Sequence, residues 1–130
     1  MVSIIAVAVE LVRIKGSFFS REPSGRISSL SIVLLIDQKD TAGIDVKLFN
    51  KITKTQIGFL KIARKHNLKL IPVKNTRYNI NNFSIKFYPP IKPFEKSKSD
   101  AEAMLYIHKI IEEWILENPT QWLWQHNRFN

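Results

Sequence analysis

The end of the chain sets the narrowest limits on its fold. All three tryptophans, Trp114, Trp122 and Trp124, lie within residues 112–129, on either side of Asn118-Pro119. Before that dipeptide, Met104, Ile107, Ile111 and Trp114 recur at helical spacing and line one face. Ser99-Asp100-Ala101-Glu102 opens the pattern as a capping box, the serine oxygen taking an amide N–H while the glutamate reaches back. Pro119 cannot continue a helix and drives Asn118 out of the α region, so the helix must stop there. A short amphipathic turn follows. Trp122 and Trp124 bring large apolar areas whose indole N–H groups need partners, and Gln121, His126 and Arg128 are spaced to point polar groups back toward the same region. The physical expectation is a C-terminal helix clamped onto a sheet by aromatic residues.

At 130 residues there is room for one domain, and an apolar fraction of 45% suits a globular core. The lack of cysteine removes disulfides and thiolate metal sites, and no cluster of potential ligands calls for a metal or other cofactor. The apolar opening, residues 2–9, stops at Glu10, short of the roughly 20 residues a spanning helix needs. It also lacks the basic start and cleavage site of a secretory signal. The net charge of +9 favours an anionic partner such as nucleic acid, an anionic leaflet, a phosphorylated lipid or an acidic carrier protein. The lysines are scattered without a compact run, which argues for a solvated basic surface over a dedicated nucleic-acid site.

Residues 1–13 are apolar and β-branched, compatible with a strand or a short helix, and residues 16–29 read as an exposed loop. Residues 30–36 are an almost unbroken Leu, Ile and Val run, as expected of a central strand covered on both faces in a mostly parallel sheet. Asp37-Gln38-Lys39-Asp40 closes that strand, at the carboxyl edge where α/β folds place ligand sites; a plain turn with a capping aspartate is the alternative. Residues 53–67 alternate Ile57, Leu60, Ile62 and Ala63 with basic residues, which predicts a helix, with Asn67 at its C-terminal cap. A short strand over residues 68–73 follows. Phe83, Ile85 and Phe87 alternate with polar partners as in a half-buried strand, and residues 93–99 read as a polar linker.

These segments together resemble the C-terminal portion of the lipid A biosynthesis lauroyl/myristoyl acyltransferases. The family tail reads close to Glu-x-x-Ile-x-x-x-Pro-x-Gln-Trp-x-Trp-x-His-x-Arg-Phe, matched by Glu112, Ile115, Pro119, Gln121, Trp122, Trp124, His126, Arg128 and Phe129, with Asn127 where a second arginine is common. Upstream, Asp37-Gln38 matches an Asp-Gln strand end, and Gly43, Val46 and Phe49 match the loop after it. Lys47, Leu48 and Asn50 depart there from the usual proline, phenylalanine and glycine. Thr55, Gly58, Ala63, Pro72, Arg77 and Pro89-Pro90-Ile91 fall in register as well. The resemblance runs from about residue 32 to the end, and residues 1–130 read as a single partial domain, with 1–25 an unassigned N-terminal segment and 26–130 the family-like region. It implies an α/β fold with a mostly parallel central sheet flanked by helices, glycerolipid-acyltransferase-like and incomplete.

The implied activity is transfer of an acyl chain from acyl carrier protein to a hydroxyl of a lipid A precursor, without a cofactor. The implied catalytic machinery is a His-x-x-x-x-Glu/Asp dyad, the histidine acting as general base and the acid orienting it. In the family that motif precedes the Asp-Gln strand, and this sequence starts too late to contain it. His108-Lys109-Ile110-Ile111-Glu112-Glu113 satisfies the spelling, but positions five apart on a helix diverge by about 140°. His108 and Glu112 are expected only to pair weakly on the helix surface. His66 belongs to a basic helix end, where it suits the dipole. Candidate substrate-binding residues are Asp37, Gln38, Arg77, His126 and Arg128. The two arginines suit phosphate, or else surface and packing roles; His126 suits tail anchoring or a substrate contact. The expected setting is peripheral, on the cytoplasmic face of the inner membrane, with carrier protein, lipid A precursor, an anionic membrane surface and a separate N-terminal half as partners, and no nucleic acid. A non-catalytic basic module on an anionic membrane or acidic carrier is the alternative. Either way, residues 30–36 short of their partners predict exposed apolar surface and poor solubility or oligomerisation.

Overall fold

The computed structural model describes residues 5–11, 30–122, 124 and 127–129. Six strands and three helices follow in the order β1 (Ile5–Leu11), β2 (Leu30–Leu35), β3 (Lys39–Leu48), β4 (Lys51–Thr55), α1 (Gly58–Lys65), β5 (Leu70–Arg77), β6 (Phe83–Phe87), α2 (Pro93–Lys96) and α3 (Asp100–Glu117). A 3₁₀ turn over Pro119–Gln121 succeeds α3. The described part of the apolar opening, Ile5–Leu11, is therefore a strand. The loop expected over residues 16–29 lies outside the described residues.

Four strands form one sheet in the order β2-β1-β5-β6, and β3 and β4 form a hairpin of their own. Every strand pair among the described residues is antiparallel. This corrects the expected mostly parallel sheet, and it moves β2 from a central position to an edge. The cause is visible in the side chains of β2. Leu34 packs against the core and Ile36 beyond it is buried, whereas Val33 is 63% exposed and Leu35 is also open. An unbroken apolar run looks the same whether its second face is covered or bare. The α/β composition stands; the parallel arrangement does not.

The β3–β4 hairpin was not anticipated, and it takes the start of the predicted helix over residues 53–67. Leu48 pairs with Lys51, leaving a two-residue turn in which Phe49 and Asn50 both have positive φ, 49° and 62°. Turns of that hand fit the twist of a hairpin, and asparagine tolerates the left-handed region. Thr53 and Thr55 are β-branched and buried in β4, so strand wins over helix until α1 begins at Gly58. The helix ends in a Schellman arrangement: Leu68 N–H donates to Ala63 C=O at 2.8 Å and Asn67 N–H to Arg64 C=O at 3.3 Å, with Asn67 at φ 51°.

The core lies between the hairpin, α1 and α3. Leu48, Leu60, Leu70, Met104, Ile107, Ile111, Trp114, Ile115 and Trp122 are among its buried members, and Phe94 of α2, inside the expected linker, joins them. The N-cap of α3 is as anticipated in part. Ser99 Oγ accepts from Glu102 N–H at 3.2 Å, while the Glu102 carboxylate reaches one residue further back, to Lys98 N–H at 2.7 Å.

Two glycines separate a packing requirement from an incidental one. A Cβ on Gly43 would sit 2.2 Å from the Thr55 carbonyl oxygen, at the register shift of the hairpin, whereas one on Gly58 would meet nothing within 4 Å. Gly43→Ala is expected to destabilise by about 1–3 kcal/mol, and Gly58→Ala to stabilise by roughly 0.5 kcal/mol. Urea unfolding of the two variants checks this; equal midpoints would contradict it.

Candidate functional site

Polar groups gather where α3 crosses the β3–β4 hairpin. His108 and Glu112, one turn apart on α3, are both buried, and neither pairs with the other as the surface reading supposed. The His108 ring Nδ1–H donates to the Lys47 carbonyl at 2.7 Å, since a carbonyl can only accept. That tautomer leaves Nε2 as an acceptor, 3.5 Å from the Thr55 hydroxyl. Glu112 accepts the Phe49 N–H on Oε1 at 2.6 Å and Lys109 Nζ on Oε2 at 2.9 Å. Helix and hairpin are thus joined where β3 enters the tight turn.

The tail enters the same cluster from below. Arg128 is 2% exposed. Its guanidinium donates to the Lys54 carbonyl and, at 2.9 Å, to the Thr55 hydroxyl oxygen, while Nε has no hydrogen-bond partner among the described residues. Burial lowers the Arg128 pKa from its ordinary value, and the negative charge of Asp37 partly offsets this. Trp122 is buried, edge-on to Trp124 at 4.7 Å and to Phe129 at 6.1 Å. Trp124 donates its indole N–H to the Pro119 carbonyl at 2.6 Å. Gln121 behaves as a surrogate strand residue. Its Oε1 accepts Arg77 N–H at 2.9 Å and its Nε2 donates to Arg77 C=O at 2.8 Å, which extends the ladder of β5 by one side chain.

The candidate residues of the sequence therefore fall into two places. Asp37, half-buried after β2, and Arg128 come together electrostatically, with Gln38 exposed beside Asp37. Arg77 is held at the end of β5, and its guanidinium donates to the Asn79 and Ile80 carbonyls, both at 2.9 Å, in the β5–β6 loop. His126 lies outside the described residues. The members that sequence reasoning missed are His108, Glu112, Thr53 and Thr55. A signal existed: His108 and Glu112 stand four apart in line with Met104, on the face of α3 that is otherwise apolar.

Chemically, this is a buried chain of hydrogen bonds from Arg128 through Thr55 and His108 to Lys47. It can fix geometry, but at 0% exposure His108 has no route to a substrate. Among the described residues no group of His, Asp and Glu is placed to hold a metal ion. No helix of the described residues is long and apolar enough to cross a membrane.

Burial pushes the His108 pKa down to about 4, against a weaker raising effect of the Lys47 carbonyl. The folded state therefore holds this ring neutral while the unfolded chain protonates near 6.5. Its contribution is fully present above 6.5 and is lost as pH falls toward 4, by about 3 kcal/mol in total. Urea midpoints measured across that window should fall less steeply for His108→Asn, which keeps a donor but does not titrate. Parallel pH profiles would contradict the assignment.

The profile of one protein family, described as bacterial lipid A biosynthesis acyltransferase, matches residues 27–130. No curated protein and no solved structure matches the chain.

Proposed function

Because the chain belongs to the bacterial lipid A biosynthesis acyltransferase family, we propose that it serves the transfer of an acyl chain from acyl carrier protein to a hydroxyl of a lipid A precursor. The match over residues 27–130 carries this reading, and it covers the docked tail, the hairpin and the Asp37-Gln38 strand end together. The chain contributes scaffold and not the proton-transferring pair. Its single His-x-x-x-x-Glu string is His108 to Glu113, and a general base must come within hydrogen-bond reach of the hydroxyl it activates. A ring buried as fully as His108 cannot do so. A separate N-terminal half carrying a His-x-x-x-x-Glu/Asp dyad is the proposed source of the base.

Within this reading, Asp37, Gln38, Arg77, His126 and Arg128 remain the proposed substrate-binding set. Among the described residues of this set Gln38 is the exposed member, and the negative charge of Asp37 favours the charged form of the buried Arg128 guanidinium. The chain works peripherally on the cytoplasmic face of the inner membrane. A second reading, a non-catalytic basic module on an anionic membrane or acidic carrier, draws on one feature: residues 46–94 contain no aspartate or glutamate.

Acyl transfer to a lipid A precursor, assayed with acyl carrier protein thioester, tests the proposal. The 130-residue chain alone should give no turnover above background, and addition of an N-terminal half bearing the dyad should restore it. Turnover by the purified chain unaided would overturn the divided arrangement. No turnover with any such half would favour the non-catalytic reading.

A further inference from the structure

The sheet has one packed face, and its other face is open along β6. Leu34, Leu70 and Lys74 belong to the side met by the core and α3, where Lys74 pairs with Glu117 and lies 5.8 Å from the Trp114 ring centroid. On the other side, pairing places Phe83 opposite Arg77, Ile85 opposite Asn75 and Phe87 opposite Val73. Phe83, Ile85 and Phe87 are all more than half exposed, at the outermost position of the sheet. The loop above them adds Tyr78 and Ile80, the latter 81% exposed. Five large apolar side chains on one hairpin exceed the scattered exposure normal for a soluble surface.

That loop is built, not loose. Tyr78 N–H donates to Asn82 C=O at 3.0 Å, and Asn79 Oδ1 accepts both Asn81 N–H at 3.1 Å and Asn82 N–H at 2.9 Å. The Arg77 guanidinium takes the Asn79 and Ile80 carbonyls and stands 5.4 Å from the Phe83 ring centroid. Many backbone polar groups at the tip are thus already satisfied, which lowers the cost of moving it out of bulk water. The charge carried by the hairpin itself has one sign. Lys74, Arg77 and Lys86 lie on its strands, Lys74 paired inward with Glu117, and no acidic residue occurs between Asp45 and Glu95.

Apolar and aromatic side chains on a rigid tip, framed by cations, match the interface of an anionic bilayer. We propose that the β5–β6 hairpin is the element by which this chain docks on an anionic lipid surface, with Ile80, Phe83 and Phe87 entering the headgroup and upper acyl region. The inference rests on the peripheral membrane placement proposed above and deepens it by naming the surface. Insertion is shallow: the outer edge of β6 leaves backbone groups that need water or headgroup partners, which the hydrocarbon interior cannot supply. A second copy of the chain pairing along β6 is the competing occupant.

Co-sedimentation with vesicles of phosphatidylcholine alone, and of phosphatidylcholine mixed with phosphatidylglycerol, distinguishes these. The full chain should bind the mixed vesicles and not the neutral ones. Ile80→Ser with Phe87→Ser should weaken binding about tenfold or more, with an unchanged unfolding midpoint because both side chains are already exposed. Lys86→Glu should weaken it on mixed vesicles only. Ile52→Ser, about as exposed as Phe87 but on the β3–β4 hairpin, should have no effect. Failure of the unaltered chain to bind either vesicle would defeat the membrane placement itself. Binding that Ile80→Ser with Phe87→Ser leaves intact would defeat the hairpin alone. Loss of a dimer in that variant, seen by analytical ultracentrifugation without a change in vesicle binding, would assign the face to a second copy.

Discussion

The contact between Glu112 and the Phe49 amide is the interaction on which the arrangement of this chain depends. Phe49 occupies the left-handed region, a conformation that costs a non-glycine residue roughly 1–2 kcal/mol. A hydrogen bond from an amide to a buried carboxylate returns roughly 1.5–3 kcal/mol, enough to hold the turn. The carboxylate is in turn held by Lys109 and by its place on α3. His108 repeats the device one turn earlier, at the Lys47 carbonyl. Together they set the register of α3 against the hairpin, and the apolar side chains of the core then pack around a geometry already specified by polar contacts.

The tail completes this arrangement instead of merely covering it. Arg128 bonds to the Lys54 carbonyl and to Thr55, so β4 is held from α3 on one side and from the last residues on the other. Gln121 performs a similar service for β5. A family pattern dense in Glu, Gln, Trp and Arg thus becomes intelligible as a clasp. Glu112 holds a turn, Gln121 a strand end, Trp122 the core and Arg128 the second strand of the hairpin. None of these four side chains needs a substrate to account for its environment, which is why the strength of the motif as a family signal does not make it a catalytic centre.

Much of that is legible in the sequence. The end of α3 at Asn118, its serine cap, the left-handed Asn67 and the existence of strand β6 all follow from local chemistry, although the apolar side of β6 is exposed and not half-buried as its alternation suggests. What was not legible depends on distant partners. The apolar run of β2 gave no sign that Val33 and Leu35 stay uncovered, and so no sign that the strand is an edge with an antiparallel neighbour. Thr53 and Thr55 sit within a segment whose apolar spacing favours helix, and only pairing with β3 overrides it. His108 and Glu112 looked like a surface pair because helical spacing says which residues share a face, not what that face meets. Of the expected site, Asp37 and Arg128 converge, while Arg77 is claimed by its own loop.

The two faces of the sheet now acquire different meanings. On the inner side, charge is admitted only when paired, as Lys74 is with Glu117, and histidine only when neutral. On the outer side, apolar residues are displayed and carboxylates are missing from the neighbouring sequence. A soluble protein presenting that face to water alone would carry a hydrophobic surface with no compensating use. The membrane placement proposed above would give it such a use, because docking confines the search for substrate to a plane. The polar clamp around α3 then matters to function indirectly. It keeps the scaffold rigid from the inside, so that the hairpin can be spent on a surface that the core never covers.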